Sequence, residues 1–219
     1  MKKKKQLLNQ LTTSYLRELN TALAGLDLEK MNKAFEALMK VYKDNKCVYF
    51  LGNGGAAATA IHMANDLGKG TLVRVYDGNE KRLRTISLTD NVSLLTAYAN
   101  DLGYDNIFVQ QLTSFLDKGD LVVAISGSGE SENVIKAVRY AKKCGAKTIG
   151  LLGFNTGGRL AKLVDIPIII QSRHYGPIED VQLVISHILT SWFAKTKTNF
   201  LELKKNKNKH TPFDDKKYF

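Results

Sequence analysis

The chain has 219 residues, 44% of them in the hydrophobic set and 24% charged, with 3 prolines and 2 cysteines. That composition describes one globular domain with trimmings and excludes a disordered chain, a collagen-like repeat and a disulfide-stapled scaffold. The formal net charge of +11 would suit a nucleic-acid surface, but ten of the basic residues lie in the terminal segments, at Lys2, Lys3, Lys4, Lys5, Lys204, Lys205, Lys207, Lys209, Lys216 and Lys217. The body left over is mildly basic, so solvated tails are expected and no nucleic-acid partner.

Four lysines after Met1 resemble the start of a signal peptide, yet Gln6 to Leu16 mixes Gln, Asn, Thr and Ser among its leucines. No stretch approaches the ~20 apolar residues that span a bilayer, so no membrane partner and a soluble, cytoplasmic protein are expected. Cys47 and Cys144 are then reduced thiols. Leu7, Leu8, Leu11, Tyr15, Leu16, Leu19 and Leu23 recur at helical spacing, and Met31, Phe35, Leu38, Met39 and Tyr42 repeat the pattern. The two runs predict an N-terminal helical hairpin over residues 4–44.

Five short β-rich runs follow, each with a helical pattern behind it: Cys47 to Leu51, Arg84 to Leu88, Leu121 to Ile125, Thr148 to Leu152 and Ile166 to Ile170. The alternation predicts an α/β fold, a three-layer doubly wound five-stranded parallel sheet. A last helix is expected from about Pro177 to Lys195, with Glu179 and Asp180 beside its positive end and Ile178, Val181, Ile185, Ile188 and Trp192 as its apolar stripe. Beyond it, residues 200–219 lose all period and read as a Lys-rich tail, so that 1–199 form one domain.

In open α/β sheets ligands bind outside the carboxyl ends of the strands, and two of the loops there stand out. Ser126, Gly127, Ser128, Gly129, Glu130 and Ser131 combine small residues with three hydroxyls ahead of a helix start, which predicts a phosphate cradle. The loop after the first strand, Gly52 to Ala57, matches the loose dinucleotide fingerprint, but the acidic residue such a site wants has only Asp77 to fill it, in a segment that reads as strand or loop. No nucleotide cofactor is expected on that ground. Glu179, Gln182, Ser186 and His187 form a polar seam along the last helix, read as facing the site.

GNGG after an apolar strand, the pair His62 and Asp66, the element ANDLGYDNIF (Ala99 to Phe108) and ISGSGESENVIKA (Ile125 to Ala137) together resemble the sugar isomerase (SIS) domain, and within it the phosphoheptose isomerase branch. The resemblance covers roughly Leu7 to Ala194. It implies an isomerase that interconverts sedoheptulose 7-phosphate, or a related ketose phosphate, with an aldose phosphate, in a homotetramer whose N-terminal helices pack between subunits. It further implies sugar contacts at Asn53, Gly54, Gly55 and Asn91, phosphate contacts at Ser126, Gly127, Ser128 and Ser131, and catalytic roles for Asp66, Glu179 and His187. His62, Asp66, Glu179 and His187 would surround a zinc ion or the reacting carbons. Glu179 and His187 stand about 12 Å apart along a helix, so one ion would have to sit between them.

The chain departs from the branch at Ala56 (usually Ser), Thr59 and Asn91 (usually Asp), Gly127 (usually Thr), Asp66 (usually Glu) and Glu179 (usually Gln). Aldose and ketose interconversion moves a proton between adjacent carbons through an enediol, which needs a carboxylate base and a second proton shuttle. Asp66 or Glu179 would supply the base and His187 the shuttle, with Glu130 as a further base and His174 at the rim. The departures also leave open a non-catalytic SIS adaptor that binds a phosphosugar and a protein partner.

Overall fold

The structure, a computed structural model, describes residues 2–73 and 77–206, with side chains over 4–73 and 77–198. Five parallel strands, β1 (Cys47–Gly52), β2 (Arg84–Ser87), β3 (Leu121–Ser126), β4 (Lys147–Leu152) and β5 (Ile166–Ile169), lie in the order β2-β1-β3-β4-β5. Phe50 pairs with Val123, and Val123 with Ile149. Alternate residues of each strand face opposite ways. Val48, Phe50, Val123, Ile125 and Leu151 therefore enter one core, with helices α2 (Leu28–Lys43), α3 (Gly55–Asn65) and α8 (Tyr175–Asn206). Tyr49, Leu51, Val122, Ala124 and Leu152 enter the other, with α5 (Ile107–Phe115) and α6 (Glu132–Lys143). The remaining helices are α1 (Lys2–Ala24), α4 (Val92–Leu102) and the single turn α7 (Leu160–Leu163). The segment that reads as strand or loop runs from Val73 to Lys81; residues 74–76 lie outside the described residues and the rest of it is not a strand.

The last helix is longer than its sequence pattern indicates, starting at Tyr175 and running to Asn206, into the segment expected to be tail. Residues 207–219 lie outside the described residues. Its buried stripe is Ile178, Val181, Ile185, Leu189 and Phe193. Ile188, assigned to that stripe from sequence, is 42% exposed, because the helical repeat of 3.6 carries the fourth contact to Leu189. Trp192 stacks instead on Phe35 of α2, with ring centroids 4.1 Å apart and planes within 3°.

The N-terminal hairpin is present, but α1 keeps most of its leucines outside. Leu7, Leu8, Leu11 and Leu16 are each more than half exposed. Only its second half docks on the domain, through Leu19, Ala22 and Leu23 against the core and through polar groups beside them. The Tyr15 hydroxyl donates to Asp180 Oδ2 at 2.6 Å, which pushes its pKa up to about 12, because the carboxylate holds the phenol proton. Glu18 accepts from the Ser172 hydroxyl (2.6 Å) and from His174 Nδ1 (2.9 Å), and both bonds hold its carboxyl below the usual range.

A buried ion pair joins α8 to the excursion between α3 and β2. Lys197 Nζ lies 2.6 Å from Glu80 Oε1 with both side chains 1% exposed, and it also donates to the Thr71 carbonyl at 3.2 Å. Glu80 Oε1 in turn accepts from the Val73 N–H at 2.9 Å. Removing one member strands a buried charge, whereas removing both does not. Lys197→Met should therefore cost about 3–5 kcal/mol in urea unfolding. Lys197→Met with Glu80→Leu should recover part of it, leaving the Val73 and Thr71 backbone groups as the residual cost. A double variant as unstable as the sum of the two singles would refute that account.

Candidate active site

The strand order reverses between β1 and β3, because the chain goes out to β2 on one side of β1 and to β3, β4 and β5 on the other. At such a switch point the loops leaving neighbouring strands part in opposite directions and open a crevice at the carboxyl edge. The two loops singled out from sequence are the ones that follow β1 and β3.

In the β3 loop, Ser126 Oγ accepts from the Gly129 N–H (3.1 Å) and Ser128 Oγ from the Glu130 N–H (3.2 Å). Both hydroxyl oxygens are used as acceptors, which leaves their protons to donate to an anion. Ser131 is the N-cap residue of α6 and makes no side-chain cap bond, which leaves its hydroxyl uncommitted at the helix start. Glu130 is not available as a base. Arg159 grips it through Nε to Oε2 at 2.6 Å and backbone N–H to Oε1 at 2.8 Å, while Nη1 reaches Glu132 Oε2 at 3.1 Å. The guanidinium holds the Glu130 carboxyl below its ordinary range and offsets part of the negative charge of Glu130 and Glu132 beside the cradle.

After β1, Gly54 takes φ +56°, ψ −123°, a backbone geometry that a residue with a Cβ resists, and α3 starts at the next residue. Asn53 and Asn133 exchange two side-chain bonds of 2.9 Å each, and the Tyr104 hydroxyl donates to Asn53 Oδ1 at 3.0 Å. Beside them opens a cleft of about 190 Å³, walled by Leu95, Ala99, Tyr104 and Phe108. Asn91 caps α4, accepting from the Leu94 N–H at 3.0 Å, so its carbonyl is already committed.

His62 and Asp66 sit one turn apart at the end of α3, where the helix passes into a π-helical turn, Asp66–Gly70, a feature often found at functional sites. His187 of α8 meets them. His62 Nε2 is 3.0 Å from His187 Nε2 and 3.0 Å from Asp66 Oδ2, and His187 Nε2 is 3.7 Å from the same oxygen. Two imidazole nitrogens and a carboxylate oxygen thus lie within 4.8 Å of one another. For metal bonds of about 2.0–2.1 Å, a tetrahedral site has ligand atoms about 3.3 Å apart, and this triangle brackets that value with a fourth position left open. The donor set fits a transition metal such as zinc. Glu179, expected as a fourth ligand, is not among the residues grouped here. Its carboxylate lies over the start of α3, where a methyl group built on Gly55 would fall 2.5 Å from both oxygens.

The α8 seam is split. Glu179 and His187 are accessible, while Gln182 and Ser186 are fully buried, with Gln182 Nε2 donating to the Leu151 carbonyl at 3.0 Å. His174 belongs to the Glu18 contact that docks α1.

Residues 13–153 match the family model of the SIS domain. The chain belongs to that family. It is 40% identical over 153 residues to the phosphoheptose isomerase of Nitratiruptor sp., covering 70% of this chain and 79% of that one. With the enzyme of Aliarcobacter butzleri it shares 37% over 161 residues, 74% and 82% of the two chains. Among solved structures it resembles the phosphoheptose isomerase of Neisseria gonorrhoeae, with a TM-score of 0.76 at 26% identity over 87% of this chain and 98% of that one. The Francisella tularensis enzyme gives 0.77 at 25%, over 88% and 98%.

Two departures of this SIS domain from the branch have a local cause. A methyl group built on Gly127 would lie 2.9 Å from Cε1 of Tyr175, whose ring stands edge-on to Phe154, so the aromatic ring fills the place of the usual Thr side chain. Thr59 is buried, and its hydroxyl bonds back to the Gly55 carbonyl at 3.3 Å, where a carboxylate would find no donor at that carbonyl. Asn133, Tyr104, Tyr175 and Arg159 were missed from sequence as site residues. Asn133 and Tyr104 lie inside quoted motifs, but nothing in their spacing shows that they meet Asn53.

Arg159→Ala should lower thermal stability most at neutral pH. The Glu130 carboxyl has a depressed pKa in the folded state, so its ion pair stabilises above the unfolded carboxyl range and is lost as pH falls through the lowered value. The gap between the unmodified protein and the variant should then close on acidification in a melting series, and a gap that widens would contradict the pairing.

Proposed function

We propose that this SIS domain protein is a phosphosugar aldose/ketose isomerase acting on sedoheptulose 7-phosphate or a related ketose phosphate. The observations that carry the reading are a phosphate-type cradle at the carboxyl edge of β3, the carboxylate of Glu179 over the start of α3, and the His62, Asp66, His187 cluster two to three turns along that same helix. The names of the relatives, phosphoheptose isomerases that align over most of the chain, support it.

In this reading the phosphate rests on the Ser126, Ser128 and Ser131 hydroxyls and the first turn of α6, where the helix dipole favours an anion. The sugar chain crosses Asn53, Gly54 and Gly55. Zinc held by His62, Asp66 and His187 would supply Lewis-acid polarisation of the substrate carbonyl. Asp66 is engaged with His62, so Glu179 takes the base role: it removes the proton from C1 of the ketose and returns one to C2 of the aldose. His187 carries protons between the two oxygens when it is not held by a metal.

The uncovered leucines of α1 and the absence of a buried side chain in α4 support assembly into a homotetramer. Cytoplasmic operation suits Cys47 and Cys144, both free thiols, and among the described residues no helix is long and apolar enough to cross a membrane. Light scattering should give the tetramer mass, and a monomer at micromolar concentration would remove that part of the reading.

Incubation with sedoheptulose 7-phosphate and other ketose phosphates in deuterated water should place deuterium at C2 of the aldose. Saturable binding without exchange for any of them would favour the adaptor instead. Glu179→Gln should lower turnover on the order of 100-fold, the usual scale of a lost acid or base. Asp66→Glu should leave turnover unchanged or raise it. Full activity in Glu179→Gln beside a dead Asp66→Asn would move the base to Asp66.

A further inference from the structure

Asn133 sits in the first turn of α6 and is 2% exposed. Its side chain is fully oriented. The Val134 N–H, which can only donate, lies 2.9 Å from one side-chain atom of Asn133, and that atom must therefore be Oδ1. The other end of the amide, Nδ2, is then the group that faces Asn53, and it donates to Asn53 Oδ1 at 2.9 Å. In return, Asn53 Nδ2 donates to Asn133 Oδ1 at 2.9 Å. The orientation set by one backbone N–H is thus passed across the crevice to Asn53. Tyr104, from the other side, adds a second donor to Asn53 Oδ1 at 3.0 Å.

The consequence lies in what Asn53 has left. Both acceptor sites of its oxygen are filled and one of its two N–H groups is used, so a single N–H is free to meet a ligand. We infer that Asn133 is a positioning residue, which with Tyr104 locks Asn53 as a hydrogen-bond donor to a substrate oxygen. The inference rests on the isomerase reading for its kinetic effect. In that reaction the carbonyl oxygen gains negative charge on the way to the enediol, and a fixed donor stabilises it more in the transition state than in the ground state. An unlocked Asn53 would turn over freely and offer its oxygen as readily as its N–H. Because Asn133 belongs to α6, the same bond ties the donor's position to the helix whose first turn would hold the phosphate.

The test has two arms. In the kinetic arm, Asn133→Ala should lower kcat on the order of 10- to 100-fold with less than a threefold change in KM, and Tyr104→Phe, which removes one exposed hydroxyl, should lower it a few-fold. In an Asn53→Ala background Asn133→Ala should change kcat less than twofold, because the group it positions is gone. Losses that multiply in the double variant would overturn the proposal, since a merely structural role acts whether or not Asn53 is present. The second arm needs no turnover. By NMR, the Asn53 side-chain amide should show one slowly and one rapidly exchanging hydrogen, both becoming rapid in Asn133→Ala, while the affinity for inorganic phosphate stays within twofold. An Asn53 amide that exchanges identically in both proteins would overturn the lock. Failure of the unmodified protein to isomerise any sugar phosphate would sink the isomerase reading, and the amide arm would still decide the positioning claim.

Discussion

The burial of one apolar stripe on the last helix is the constraint on which the site depends. Ile178, Val181, Ile185, Leu189 and Phe193 are all at most 2% exposed, and burial of each such side chain contributes about 1.5–3 kcal/mol. That sets the rotation of α8 against α3 and the sheet. A slip of one residue would turn the helix by about 100° and carry His187 away from His62 and Asp66. The stacked Trp192 and Phe35 rings and the buried Lys197 and Glu80 pair hold the same register further along, against α2 and the excursion before β2. The chemistry at the near end of the helix is thus held by packing along its length.

The second organising feature is the sheet edge where strand order reverses. Both faces of the sheet are covered by helices, so polar groups that must meet a ligand are concentrated at the carboxyl edge. The loops there are not simply open. A backbone N–H occupies an acceptor site on each of Ser126 and Ser128, Arg159 pairs with both Glu130 and Glu132, and Asn53 and Asn133 bond to one another. Each of these leaves hydrogen-bond donors for an incoming anion and few competing acceptors. The last helix carries unmet polar groups of its own: Gln182 Oε1, Ser186 Oγ and Thr190 Oγ1 are buried without a partner among the described residues, at about 1–3 kcal/mol for each such atom.

Strand positions were legible because fully buried parallel strands are short apolar runs with little else they can be. All five predicted runs overlap β1 to β5, with ends shifted by a residue at most. The last helix was harder. Its apolar period fades after Trp192, yet it continues to Asn206, since a helix anchored by Lys197 at one end of an excursion needs no further apolar stripe to persist. Ile188 was misassigned because a helical period read from sequence cannot distinguish Ile188 from Leu189 until a neighbour is chosen. The meeting of His62 with Asp66 followed from their spacing alone, one turn apart on one helix.

By itself, then, the sequence determined the alternation of strands and helices, the hydroxyl-rich loop at a helix start and the motifs that mark the SIS family, because each is a local pattern over a few residues. Tertiary structure alone decided which of the catalytic candidates meet. His187 joins His62 across 125 positions of chain and Asn133 joins Asn53 across 80, while Glu179 stays apart over Gly55 and Glu130 is taken by Arg159. Those pairings depend on the rotation and register of packed helices, which are set by side chains far from the residues concerned and leave no trace in local spacing.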